Sequence, residues 1–369
     1  MAEHLANQSE PSKPSRRGRW HWDLWLKVGV FVALAVALYR QFFHRTDLDD
    51  LRQQFGDPLD TRSCLLLVLV FLMMPLNWGL ETVKWRLLVR QVYPISFRKA
   101  FAAVLTGVTL GLFTPNRIGE YGGRMLFLPS RLRWSAVPVT LVGSLAQLTV
   151  TVAVGMICLI VFVALWQGLD SLGFEEKAMS LVLGACVPII VLMAFLWYLL
   201  QVPRNWFRYV PNRFRNGLWI RQFGDGLQAL RSVSSALLTR VLVLSLLRYS
   251  VFAAQYLFLL SAYGMTLPLL KSVPTVGSVF FVQSVLPTFA VVELFRRGEI
   301  ATTFFGAFLD NTLAIYAASA TLWLINLIIP ALLGYVLILF RPVRGEVEDQ
   351  VQSHEVSQDE CLESSSQSQ

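Results

Sequence analysis

The chain carries continuous apolar runs of about twenty residues, the length of helix that crosses a bilayer's hydrocarbon core; the first is 24–43. Hydrocarbon offers no partner to a backbone N–H or C=O, so a spanning segment must satisfy its own polar groups. A helix does so within one segment, whereas barrel strands would read as alternating segments about ten residues long. Composition agrees: of 369 residues 55% are hydrophobic and 15% charged, against about a quarter charged in soluble domains. The expectation is an all-α polytopic membrane protein.

The formal charge of +8 fits the accumulation of basic residues on the cytoplasmic side of membrane proteins, and no nucleic-acid partner is expected. Cys64, Cys158 and Cys186 lie in or at apolar segments and Cys361 in a polar tail. His4, His21, His44 and His354 are scattered outside the apolar runs. Neither set has a metal-ligand spacing, so no metal and no cofactor are expected.

Residues 1–19 are polar, end in Arg16-Arg17-Gly18-Arg19 and read as a disordered cytoplasmic N-terminus. Interfacial Trp20, Trp22 and Trp25 then introduce the first span, an uncleaved signal anchor. The loop 45–62 holds five aspartates against three arginines, as suits the outer face. A second span, 63–79, emerges into Lys84, Arg86, Arg90, Arg98 and Lys99, the inner face. Segments 135–166 and 178–200 cross outward and back. The loop 201–234 alternates arginine with aromatics (Arg204, Trp206, Phe207, Arg208, Tyr209) and reads as a basic amphipathic element on the inner leaflet. Segment 236–263 crosses outward, 311–340 returns, and the Ser/Gln/Glu-rich 341–369 reads as a disordered acidic cytoplasmic tail.

Two apolar segments are too short to span. The first, 100–113, ends at Pro115 and is followed by Arg117, Glu120 and Arg124. The second, 273–286, ends at Pro287 and is followed by Glu293, Arg296 and Arg297. In both the Glu-to-Arg spacing is four, one helical turn on one face. Re-entrant hairpins at about 100–131 and 273–309 explain the shortness and the charge. With about six full spans and both termini inside, they must open to opposite faces, the inverted-repeat plan of secondary transporters. Charged groups at membrane depth mark polar cavities. Arginine forks and helix N-termini suit a lipid phosphate, so Arg117, Glu120, Arg124, Glu293, Arg296 and Arg297 are the candidate headgroup-binding residues. Pro115, Gly119, Gly122, Gly123 and Pro287 are expected to shape the hairpins, the glycines letting backbone approach a headgroup. The same Glu–Arg pairs could equally be internal ion pairs that hold the hairpins.

The run Pro115-Asn116-Arg117-Ile118-Gly119-Glu120 with Arg124 resembles the P-x-R-x-G-E…R signature of the lysylphosphatidylglycerol synthase transmembrane-region family of flippase-like proteins. Trp85-Arg86-Leu87-Leu88, Phe223 with Gly226-Leu227, and Leu286-Pro287 through Glu293 fall where that family has related features. The resemblance spans about 20–340, which reads as one flippase-like transmembrane domain. The second motif departs from relatives that are glycine-rich there, since it reads Thr288-Phe289-Ala290-Val291-Val292. The soluble aminoacyltransferase domain of the best-known relatives has no counterpart in this sequence, so aminoacyl transfer is not implied.

The leading expectation is a non-enzymatic lipid translocase of the bacterial cytoplasmic membrane. It would move a phospholipid or a polyprenyl-phosphate-linked lipid between leaflets, with Arg117, Arg124 and Arg297 on phosphate and Glu120 and Glu293 orienting them. Its partners are membrane lipids with anionic or phosphate-bearing headgroups; a homo-oligomer or a separate soluble partner enzyme is compatible with this. A membrane transferase using Asp47-Leu48-Asp49 as a metal–phosphate pattern, and a scaffold acting through the basic loop, are the alternatives.

Overall fold

The computed structural model describes residues 60–114, 117–167, 218–231, 234–285 and 290–340. Among them every regular element is helical: α1 (Thr61–Val89), α2 (Phe97–Gly111), α3 (Gly119–Met125), α4 (Arg133–Gln167), α5 (Leu218–Arg231), α6 (Ser235–Ala262), α7 (Leu269–Val285), α8 (Ala290–Phe305), α9 (Thr312–Trp323) and α10 (Ile329–Leu339). A π turn, Leu324–Ile328, joins α9 to α10 and precedes Pro330. Four of these stretches are long and apolar enough to cross a bilayer: Thr61–Val89, Ser130–Leu165, Ser235–Ala262 and Thr312–Leu339. The protein is a multi-pass helical membrane protein. The expected spans 24–43 and 178–200, both termini and Asp47-Leu48-Asp49 lie outside the described residues.

The helices start where a side chain can take an unpaired N–H of the first turn. Asp60 accepts from the Ser63 N–H at 2.7 Å, and hydrogen bonding from the Ser63 side chain and then from this N–H holds its exposed carboxyl below the usual carboxylate range. Ser96, Ser234 and Asn311 cap α2, α6 and α9 in the same way, through the N–H groups of Lys99, Leu237 and Ala314. Sidedness is inverted relative to a soluble protein: Leu65, Leu72, Val243 and Leu247 are exposed, while Asn77, Glu81, Lys84 and Gln255 are buried. Lipid solvates the former; only other helices can solvate the latter.

At the centre α1 packs along α6, with Gln255 Nε2 donating to the Val70 carbonyl at 2.9 Å. On one side α7 lies against α4, where a Cβ added to Gly155 would sit 2.5 Å from Phe281 Cβ and 3.1 Å from the Gly277 carbonyl oxygen. On the other, α10 lies against α2, and Thr109 Oγ1 donates to the Ala331 carbonyl at 2.8 Å. Arg62, Ser261, Met265, Leu269 and Leu309 line one cavity, so the start of α1, the ends of α6 and α8 and the start of α7 share one end of the bundle. The opposite end holds the α1–α2 turn, where Arg86 Nε donates to the Ile95 carbonyl, and the start of α4.

One expectation is corrected. The second span does not end near Gly79: α1 continues to Val89, because Glu81 and Lys84 find partners inside the bundle and need not leave the hydrocarbon. Within the loop 201–234, α5 has Gly224 and Gly226 buried, and Gly226 packs on the Ser135 backbone at the start of α4.

Candidate functional site

The short helix α3 is held in place by small residues. Gly107 of α2 and Gly123 of α3 bring their backbones into contact, and a Cβ on Gly123 would lie 2.6 Å from Gly107 Cα. Gly119 packs on the Leu110 carbonyl, and its N–H donates to Thr114 Oγ1 at 2.7 Å. Gly119 and Gly123 therefore serve helix-to-helix approach, and Gly122 faces open space. Arg117 enters α3 at φ +58°, the left-handed region, which costs about 1 kcal/mol for a residue with a side chain.

This hairpin aims Arg124 at a carboxylate that the sequence motif does not contain. Arg124 Nη1 donates to Glu81 Oε1 at 3.0 Å and Nη2 to Glu120 Oε2 at 3.3 Å. Glu81 Oε2 also takes Lys84 Nζ at 2.7 Å and Arg248 Nη1 at 3.1 Å. Arg117 Nε lies 2.9 Å from Glu120 Oε1. Glu81 is 5% exposed, Lys84 2% and Arg124 5%. Helices α1 and α6 and the segment 117–124 thus place four cations on two carboxylates, an excess of two positive charges among the described residues when all are ionised.

Neutral groups extend the cluster. Arg248 Nε donates to Asn77 Oδ1 at 3.1 Å, and Asn77 Nδ2 donates to Asn326 Oδ1 at 2.9 Å within the π turn. Lys84 Nζ donates to Gln147 Oε1 at 3.3 Å, and the Arg248 guanidinium sits 5.1 Å over the Trp78 ring. Two buried donors, Arg124 Nε and Trp78 Nε1, have no partner among the described residues. A cationic site with spare donors at this depth suits an anion with several acceptor oxygens.

Of the residues expected from sequence, Arg117, Glu120 and Arg124 come together here. Arg296 and Arg297 are half-buried on α8, which packs on α7 and α9, while α3 packs on α2 and α4. Gln283 Nε2 of α7 donates to the Arg297 carbonyl at 3.4 Å. Pro115, Pro287 and the side chain of Glu293 lie outside the described residues. Sequence reasoning missed Glu81, Lys84, Arg248, Asn77 and Asn326. Arg248 was findable, since an arginine well inside an apolar helix needs an internal partner.

The family described as the lysylphosphatidylglycerol synthase TM region matches residues 24–223. The chain belongs to this family. No curated protein and no solved structure matches it. The matched stretch holds Glu81, Lys84 and the segment 117–124, but stops short of Arg248, Asn326 and helices α7 and α8.

Arg117→Gly should leave stability within about 1 kcal/mol of the unaltered protein. It removes the left-handed strain and loses an ion pair whose arginine side chain is 35% exposed, a contact of similar small worth. Thermal unfolding in detergent checks this; a larger loss would make Arg117 a structural anchor of the turn.

Proposed function

We propose that the protein is a lipid translocase of the bacterial cytoplasmic membrane that moves a phospholipid or a polyprenyl-phosphate-linked lipid between leaflets. The observation that carries this reading is the buried cluster with an excess of two positive charges among the described residues, joined to a hairpin built of backbone contacts between α2 and α3. Such a site suits a phosphate headgroup while the acyl chains stay in the bilayer. Family membership supports a membrane role of this kind.

The same reading takes α2–α3 and α7–α8 as re-entrant hairpins of an inverted repeat, in a fold of about six spans with both termini cytoplasmic. It is supported by the cross-packing of α7 on α4 and α10 on α2 and by α8 ending near the start of α1. Arg117, Glu120 and Arg124 would serve the headgroup from one face, and Glu293, Arg296 and Arg297 from the other.

The test is scrambling of labelled lipid in proteoliposomes. Arg124→Lys keeps the charge but loses the fork that reaches Glu81 and Glu120 together, and should slow scrambling at least tenfold. Arg297→Ala should do the same from the second hairpin. Unchanged rates in both variants would overturn the assignment of these residues.

A further inference from the structure

In the cluster each carboxylate has one short contact within its own segment: Glu81 with Lys84 at 2.7 Å and Glu120 with Arg117 at 2.9 Å, each three residues apart. These pairs travel with their own chain segments. Among the described residues Arg124 and Arg248 remain as the two cations in excess of the carboxylates. They belong to α3 and α6, yet they meet the two oxygens of a single carboxylate, Glu81, at 3.0 and 3.1 Å. Two guanidinium groups on one carboxylate are already at the spacing that a single tetrahedral oxyanion would bridge. Within the cluster, the side chains of Arg248 and Glu120 are each about one-fifth exposed.

We infer that Arg124 and Arg248 form a two-arginine seat for a phosphomonoester dianion, and that Glu81 is the internal counter-ion this phosphate displaces. The inference rests on the translocase reading and narrows its cargo to lipids ending in a phosphomonoester. A phosphodiester carries one negative charge and would leave one buried cation unbalanced. A phosphomonoester carries close to two near neutral pH and offers three terminal oxygens, enough for both forks. Once displaced, Glu81 keeps Lys84, so no bare carboxylate is created. Arg124 Nε and Trp78 Nε1 supply further buried donors around the seat.

The experiment uses the full chain in phosphatidylcholine nanodiscs, titrated with phosphatidic acid, phosphatidylglycerol or inorganic phosphate and read by native mass spectrometry. At pH 8 phosphatidic acid should bind at least tenfold more tightly than phosphatidylglycerol. The preference should shrink below about pH 6, where the monoester loses its second charge. Arg248→Gln should abolish the preference, and Glu81→Gln, which removes the competing carboxylate, should tighten phosphatidic acid binding at least tenfold. Equal affinity for the two lipids, or a preference that survives Arg248→Gln, overturns this inference alone. Binding of neither lipid nor phosphate overturns it together with the translocase reading. Arg248-dependent binding of inorganic phosphate without phosphatidic acid keeps the seat and overturns the lipid reading.

Discussion

Glu81→Ala should destabilise the folded protein by about 3–5 kcal/mol, the usual result of removing one partner from a buried ion pair. The carboxylate touches Lys84, Arg124 and Arg248, of which the first two are almost wholly buried. Its loss leaves three cations facing one another with only Glu120, at 3.3 Å from Arg124, to offset them. Denaturant unfolding in mixed micelles measures this; a loss below about 1 kcal/mol would mean that the cluster is hydrated and not sealed. The quadruple variant Glu81→Leu, Lys84→Met, Arg124→Met, Arg248→Met makes the complementary test. Well-packed apolar replacements of a whole buried charge network are often neutral or stabilising, so most of the stability should return. Transport should not return, because the phosphate seat is gone. Stability and activity then separate in one series, which identifies a network retained for function at a cost to the fold.

The fold was legible because its cause is local: apolar runs of spanning length dictate helices whatever their neighbours. The short runs that stop before Pro115 and Pro287 match the short helices α2, which ends at Gly111, and α7, which ends at Val285. The pairing of Glu120 with Arg124 was legible as well, since a four-residue spacing on one helix fixes a shared face. The hub of the site was not, because its members converge from α1, α3 and α6, a juxtaposition that no linear spacing encodes. Lys84 was misread for a specific reason. It stands before Arg86, Arg90, Arg98 and Lys99, and counting basic residues assigns the whole group to the water-facing loop. Only the buried Glu81 one turn earlier distinguishes it from its neighbours. Gly119 and Gly123 were recognised as shaping the segment, but their contacts with Leu110 and Gly107 were not legible, because a glycine signals close approach without saying what approaches.

Gly123→Ala should cost about 1–3 kcal/mol and slow lipid movement, although alanine is the better helix former by about 1 kcal/mol. The added methyl would lie 2.6 Å from Gly107 Cα and 2.8 Å from both Gly107 N and the Thr106 carbonyl oxygen. All three are backbone atoms of α2, so no rotamer change relieves the clash and the two helices must separate. At seven residues, α3 is too short to persist without its packing surface. Separation therefore also withdraws Arg124, the next residue, from Glu81. Gly122→Ala is the internal control: no atom lies within 4 Å of the new methyl, and only the propensity gain remains, so this variant should be at least as stable as the unaltered protein and fully active. Parallel unfolding and scrambling measurements on the two alanine variants decide the matter. If they behave alike, the α2–α3 contact does not set the position of Arg124. If Gly123→Ala alone fails, the backbone contact is what delivers the arginine to its carboxylate.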